Sequence, residues 1–148
     1  MNMEGYDGLK LENQLCFPLY VCAKEVVRRY KPLLDGLGLT YTQYIAMMAL
    51  WERRSLSVKE LGGILYLDSG TLTPLLKKLE EKGYVLRSRS PEDERVLDVS
   101  LTPEGEALKE KARSVPESMM SCLRIPPEDA AELARILRNI MGTLRGGL

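Results

Sequence analysis

From Leu11 to about Leu34 the apolar residues Leu15, Leu19, Cys22, Val26 and Tyr30 recur every three or four positions, the spacing of one helix face. The pattern predicts a long first helix. Pro18 interrupts it, because an interior proline removes a hydrogen bond and crowds the carbonyl four residues back, at Gln14. The chain must kink near Cys16–Pro18 or start its regular helix there. Gly36 and Gly38 end the element, and Thr40 to Tyr44 restarts the chain. Gln43 to Glu52 forms a second helix with Ile45, Met48 and Ala49, closed by Arg53 and Arg54.

Ser57 followed by Glu60 is a capping-box pattern that opens a short helix, Val58–Leu65. Tyr66 to Gly70 is a turn. The next helix carries Leu72, Leu75, Leu76 and Leu79 as a core-facing stripe, with Thr71, Thr73, Lys77, Lys78 and Glu81 opposite. Pro74 demands a position near that helix's start, and Gly83 suits its end. Tyr84–Ser88 and Val96–Leu101 read as strands around the turn cluster Pro91-Glu92-Asp93-Glu94. Thr102-Pro103-Glu104 opens a helix expected to reach about Cys122. After Pro126-Pro127 a last helix places Leu133, Ile136, Leu137, Ile140 and Leu144 on one side and frays at Gly146-Gly147.

Four helices, two strands and two helices make a mainly α fold with a small β-hairpin wing. It is a winged helix-turn-helix flanked by dimerisation helices. Residues 1–148 form a single domain, with 40–102 as the DNA-binding region and 11–35 and 103–146 as dimerisation helices. A two-fold dimer would present two reading heads roughly one turn of DNA apart.

Composition narrows this picture. The chain has 148 residues, 28% of them charged, and a formal net charge of +0, so any DNA binding rests on local arrangement and not on bulk positive charge. Its start lacks the apolar core of a signal peptide, and no apolar run approaches a membrane span, so a cytoplasmic location is expected. There is no histidine, which removes histidine bases and Cys–His dyads. Cys16, Cys22 and Cys122 form no zinc spacing. No metal, cofactor or enzymatic activity is expected.

Three constellations carry chemistry. Arg87, Arg89 and Arg95 lie on or beside the hairpin, with Asp93 placed to orient Arg95. An arginine at a wing tip suits the narrow, strongly negative minor groove. A solvated hairpin stabilised by an Asp–Arg pair is the plainer reading, and the preceding helix tips the balance towards DNA. On that helix Ser69, Thr71 and Thr73 offer hydroxyls, and Lys77 and Lys78 offer positive charge to phosphates. The plainer alternative is that Ser69 or Thr71 caps the helix and the lysines solvate it. Cys16 and Tyr20 share a helix face, with Tyr30 and Tyr41 as further phenols. A sensor cysteine needs donors or positive potential around its thiolate, whereas most free cysteines are small buried hydrophobes. On these residues alone the second description is the more common.

The segments LENQLCFPLY, YKPLLDGLGLTYTQY, LYLDSGTLTPLLKKLEEKG and DERVLDVSLTPEG resemble the organic hydroperoxide resistance regulators, a branch of the MarR family of repressors. The resemblance runs from about Leu11 to Pro116 and weakens after it. The wing pattern Asp93, Arg95, Leu101, Thr102, Gly105 is general to MarR proteins; LCF with a tyrosine four residues after the cysteine is specific to this branch. Pro18 departs from the family's usual helix former. The resemblance implies a homodimer on a palindromic operator in double-stranded DNA, released when an organic hydroperoxide oxidises Cys16. It places Tyr20 beside that thiol and brings Tyr30 and Tyr41 from the partner subunit. It directs Ser69, Thr71, Thr73 and Lys77 to the major groove, and Arg95, supported by Asp93, to the minor groove. The family has one-cysteine members, whose oxidised thiol is capped by a small thiol, and two-cysteine members, in which a resolving cysteine lies in the C-terminal region of the other subunit, near the position of Cys122. Cys22 matches neither role. Alternatives are a MarR-type repressor released by a small phenolic or apolar ligand, a thiol peroxidase, or a winged helix used for protein contacts.

Overall fold

A computed structural model describes residues 5–146. Two short 3-10 turns, Asp7–Leu9 and Leu11–Asn13, precede helix α1 (Cys16–Asp35). The helix therefore begins at Cys16, not at Leu11. Pro18 falls in its first turn, where the missing amide has no intrahelical partner to lose, so no kink is required. Pro32 also lies in α1 and withholds the amide that would bond the Arg28 carbonyl.

Helix α2 (Tyr41–Arg53) starts from a capping box in which the Gln43 amide donates to Thr40 Oγ1 at 3.3 Å and the Thr40 amide donates to Gln43 Oε1 at 3.1 Å. Arg54, at φ 64°, turns the chain into strand β1 (Ser55–Ser57). Sequence pattern did not reveal β1: three residues with one buried leucine, Leu56, show no usable alternation. Helix α3 (Val58–Leu65) opens with the expected Ser57–Glu60 box. Tyr66, left-handed at φ 57°, closes it. Helix α4 (Ser69–Glu81) is capped by Asp68, whose Oδ1 accepts the Thr71 amide at 2.8 Å. The cap is thus neither Ser69 nor Thr71. Leu72, Leu75, Leu76 and Leu79 are all buried, as their spacing predicts. At roughly 1.5–3 kcal/mol each, these four side chains fix which face of α4 looks outward.

Gly83, at φ 79°, ends the turn into β2 (Val85–Arg89), which pairs antiparallel with β3 (Leu97–Leu101). The sheet order is β1-β3-β2, and the buried Val99 stands opposite both Leu56 and Arg87. Thr102 caps α5 (Pro103–Ala112), accepting the Gly105 amide at 3.0 Å. Gly105 is tightly held. A Cβ there would stand 2.1 Å from the Tyr84 carbonyl oxygen, and its own carbonyl accepts the buried Trp51 indole N–H at 2.9 Å.

The helix expected to reach Cys122 is two helices. It stops at Ala112, and α6 (Val115–Leu123) restarts with Pro116 at its second position. Pro116 has no amide for the Ala112 carbonyl and disfavours helical backbone at the residue before it. Helix α7 (Pro127–Gly146) follows; Gly147, where fraying was expected, lies outside the described residues. The chain divides into two compact units after Val115. The first holds a core built on Leu34, Met47, Leu50, Leu61, Leu76, Leu79, Val85 and Val99. In the second, Leu133, Ile136, Met141 and Leu144 of α7 are exposed.

Candidate nucleic-acid interface and redox site

The outward face of α4 presents Ser69, Thr71, Thr73, Lys77 and Lys78, all exposed. Because Asp68 supplies the cap, the hydroxyls of Ser69 and Thr71 are not spent on it. The amide hydrogen bond from Thr71 holds the Asp68 carboxyl below its ordinary pKa. Thr73 differs from its neighbours: its Oγ1 donates to the Ser69 carbonyl at 2.8 Å.

At the hairpin tip Arg95 and Asp93 form a fork. Arg95 Nε reaches Asp93 Oδ1 at 3.1 Å, Nη2 reaches Oδ2 at 3.2 Å, and the Arg95 amide donates to Oδ1 at 3.0 Å. These bonds lower the Asp93 pKa. The Arg95 side chain is 91% exposed, so its direction is fixed while its outer edge is open.

Arg87, grouped with the wing arginines on sequence, is placed differently. Its guanidinium donates to Glu80 Oε2 through Nε at 3.1 Å and Nη2 at 2.9 Å, and its backbone amide donates to Glu80 Oε1 at 3.0 Å. Side chains alternate faces along a strand, so Arg87 shares a face with the buried Val85. That face looks at α4. Only 22% of the Arg87 side chain is exposed.

Cys16 is exposed at the first residue of α1 and is not a buried hydrophobe in this chain. Tyr20 is exposed one turn on, with Lys24 Nζ 5.4 Å from its ring centroid. Tyr30 and Tyr41 do meet: their centroids are 4.9 Å apart, and Tyr44 stands 5.8 Å from Tyr30. Burial raises the Tyr30 pKa, with smaller contributions from Tyr41 and Tyr44, and burial likewise raises that of Tyr44. Both phenols therefore stay protonated and able to donate near neutral pH. A cleft of about 290 Å³ lined by residues including Val27, Arg28, Lys31, Thr40 and Tyr41 opens beside them. Cys16 is not part of this cluster. It lies fourteen residues before Tyr30 on one helix, about 21 Å along the axis at roughly 1.5 Å per residue. Cys22 and Cys122 are exposed as well.

Sequence reasoning missed Tyr44 and Trp51, although both follow Tyr41 on one helix face. It also missed Glu80 as the partner of Arg87, and a tie in which Lys82 Nζ donates to the Gly38 carbonyl and, at 3.2 Å, to Gln43 Oε1. Among the described residues no group of three or more His, Cys, Asp or Glu converges on a metal position, and no helix is long and apolar enough to cross a membrane.

Residues 28–112 match the family model for the transcriptional regulator SarA/Rot. The chain is 49% identical over 139 residues to the organic hydroperoxide resistance transcriptional regulator of Bacillus subtilis, covering 94% of this chain and 95% of that protein. Among solved structures it is similar to AbfR, a Staphylococcus epidermidis protein. Reduced AbfR bound to DNA superposes with a TM-score of 0.78 at 34% identity, covering 95% of this chain and 96% of AbfR. The disulfide form of AbfR superposes with a TM-score of 0.64 at 36% identity, covering 91% and 95% of the two chains.

Proposed function

Because the chain belongs to the organic hydroperoxide resistance regulators of the MarR family, we propose that it is a redox-sensing repressor that binds operator DNA as a homodimer and leaves it when an organic hydroperoxide oxidises Cys16. The observation that carries the DNA half is the exposed Arg95 fork, braced by Asp93, on the hairpin that follows a helix with a polar outer face. Ser69, Thr71, Thr73, Lys77 and Lys78 enter the major groove of a palindromic operator, and Arg95 enters the minor groove. Arg87 is left out of this set, since Glu80 occupies its fork. The protein works on the chromosome, in the cytoplasm.

The dimer is supported by exposed apolar side chains at Leu11, Leu15, Phe17 and Leu19 and along α7. It is also supported by the separation of Cys16 from Tyr30 within one chain, since a second copy is what could bring the Cys16 thiol to that phenol cluster. The Cys16 thiolate attacks one oxygen of the hydroperoxide, the O–O bond breaks, the alcohol leaves, and the sulfur becomes a sulfenic acid. Tyr20 of the same chain and Tyr30 and Tyr41 of the partner donate hydrogen bonds to the sulfur group. The sulfenic acid then condenses with the thiol of Cys122 in the partner, forming a disulfide and water. Cys22 is a poor substitute, because six helical residues span about 9 Å and a disulfide tolerates at most about 7 Å between Cα atoms.

The test is a gel shift on DNA from upstream of the chain's own gene, with and without an organic hydroperoxide. Wild type is expected to bind and be released, and Cys16→Ser to bind and stay. Release of Cys16→Ser as readily as wild type refutes the sensing assignment.

A further inference from the structure

We propose that Glu80 and Arg87 are positioning residues for DNA binding: their ion pair sets the angle at which the wing leaves α4, and so delivers Arg95 to the groove without touching DNA. The inference rests on the DNA-binding role argued above. Arg87 shares its strand face with Val85, the side chain that β2 buries in the core, so its guanidinium is directed at α4 and not at solvent. Glu80 Oε2 accepts from both Nε and Nη2 of that guanidinium, and Glu80 Oε1 accepts the Arg87 backbone amide. With one oxygen held by the guanidinium and the other by the strand's backbone, the contact fixes orientation as well as distance. The extra backbone bond ties the strand itself, and not only its side chain, to the last turn of α4. These hydrogen bonds hold the Glu80 carboxyl below its ordinary range, so the pair stays ionised across neutral and mildly acidic pH.

The hairpin beyond Arg87 is a lever. Arg95 lies four residues beyond Val99, the partner of Arg87, at most about 13 Å away at roughly 3.3 Å per residue. A tilt of roughly 10° at the base would move it by about 2 Å at that strand rise. The minor groove is only about 6 Å wide, so such a tilt costs the wing about a third of a groove. No other ion pair among those between described residues joins α4 to the hairpin.

The experiment is a double-mutant cycle on operator affinity, read by fluorescence anisotropy with the full-length protein. Thermal melting of each variant establishes that it is folded. Arg87→Ala alone is expected to weaken operator binding roughly tenfold, and Arg95→Ala alone at least as much. In the Arg95→Ala background, Arg87→Ala is expected to cost less than about twofold and to leave the salt dependence unchanged, because there is no wing contact left to misplace. Arg87→Lys, which keeps the charge and loses the fork, is expected to behave like Arg87→Ala, and it carries the cycle if the alanine variant does not fold. Multiplicative losses, with a salt slope that falls by about one on removing Arg87, would mean a direct phosphate contact and overturn the proposal. An unchanged affinity in folded Arg87→Ala overturns it too. Failure of the underlying reading looks different: Arg95→Ala would then bind operator as wild type does.

Discussion

Replacing Gly105 with alanine sets two effects of opposite sign against each other. Gly105 lies in the first turn of α5 with helical backbone, where alanine is intrinsically better by up to about 1 kcal/mol. Against that, the new methyl would sit 2.1 Å from the Tyr84 carbonyl oxygen and 2.9 Å from Leu101 Cδ2. Neither neighbour yields cheaply. The Tyr84 oxygen is backbone and accepts the Thr102 amide at 3.1 Å. Moving α5 away instead stretches the buried Trp51–Gly105 hydrogen bond. Overpacking of this kind costs about 1–3 kcal/mol, and a strained or broken hydrogen bond adds about 1 kcal/mol. The clash wins, with a net loss of about 1–3 kcal/mol. At about 2–4 °C per kcal/mol for a chain of this size, Gly105→Ala should melt several degrees below wild type. The melts are compared at one protein concentration, because dimerisation makes the midpoint concentration-dependent. A Gly105→Ala protein that melts with or above wild type would show that α5 is not seated against the Tyr84 backbone.

Other expectations are shorter to state. Arg95→Ala should leave the protein folded and cost about 1–3 kcal/mol in operator binding, measured by anisotropy; full affinity in the folded variant removes Arg95 from the groove. Tyr30→Phe should slow peroxide-driven release without abolishing it, since it removes one donor and not the nucleophile; release as fast as wild type excludes Tyr30 from the redox site. After hydroperoxide treatment, non-reducing electrophoresis should show a covalent dimer lost in Cys16→Ser and in Cys122→Ser and kept in Cys22→Ser. A band that survives Cys122→Ser but not Cys22→Ser reverses the assignment. Carboxyl-carbon NMR titrations of Glu80 and Asp93 should give midpoints below the unperturbed values of about 4.3 and 3.9. A depressed folded-state pKa means the pair's contribution is complete above the unfolded value and is lost only as pH falls through the folded one. Midpoints at or above the unperturbed values would show that the arginine partners are not engaged in solution.

The features legible in sequence are those whose cause is local. The Ser57–Glu60 box, the leucine stripe of α4 and the Thr102-Pro103 start of α5 each depend on residues within a turn or two of one another. The first helix was harder, because Pro18 permits two outcomes and only the whole fold chooses between them. Pro116 was a readable break that the long apolar pattern around it concealed. Strand β1 takes its identity from β3, over forty residues away, and carries no signal of its own. Arg87 looked like a wing arginine because composition counts charges and ignores faces; the alternation from Val85 was the overlooked clue. The phenol cluster was half legible. Tyr30 and Tyr41 were named with Cys16, while Tyr44, a buried residue that joins them, was not singled out.

One hydroxyl on α4 has a restricted vocabulary. Thr73 has already given its proton to the Ser69 carbonyl, so under the proposed mode of binding it meets DNA with only lone pairs and a methyl group. Thymine O4 and guanine O6, both acceptors, gain nothing from it. Adenine N6 and cytosine N4 have protons to offer, and the thymine methyl has apolar surface. Under that mode of binding Thr73 would favour a base edge that offers a proton or a methyl group over one that offers only acceptors, through a bond the helix makes to itself.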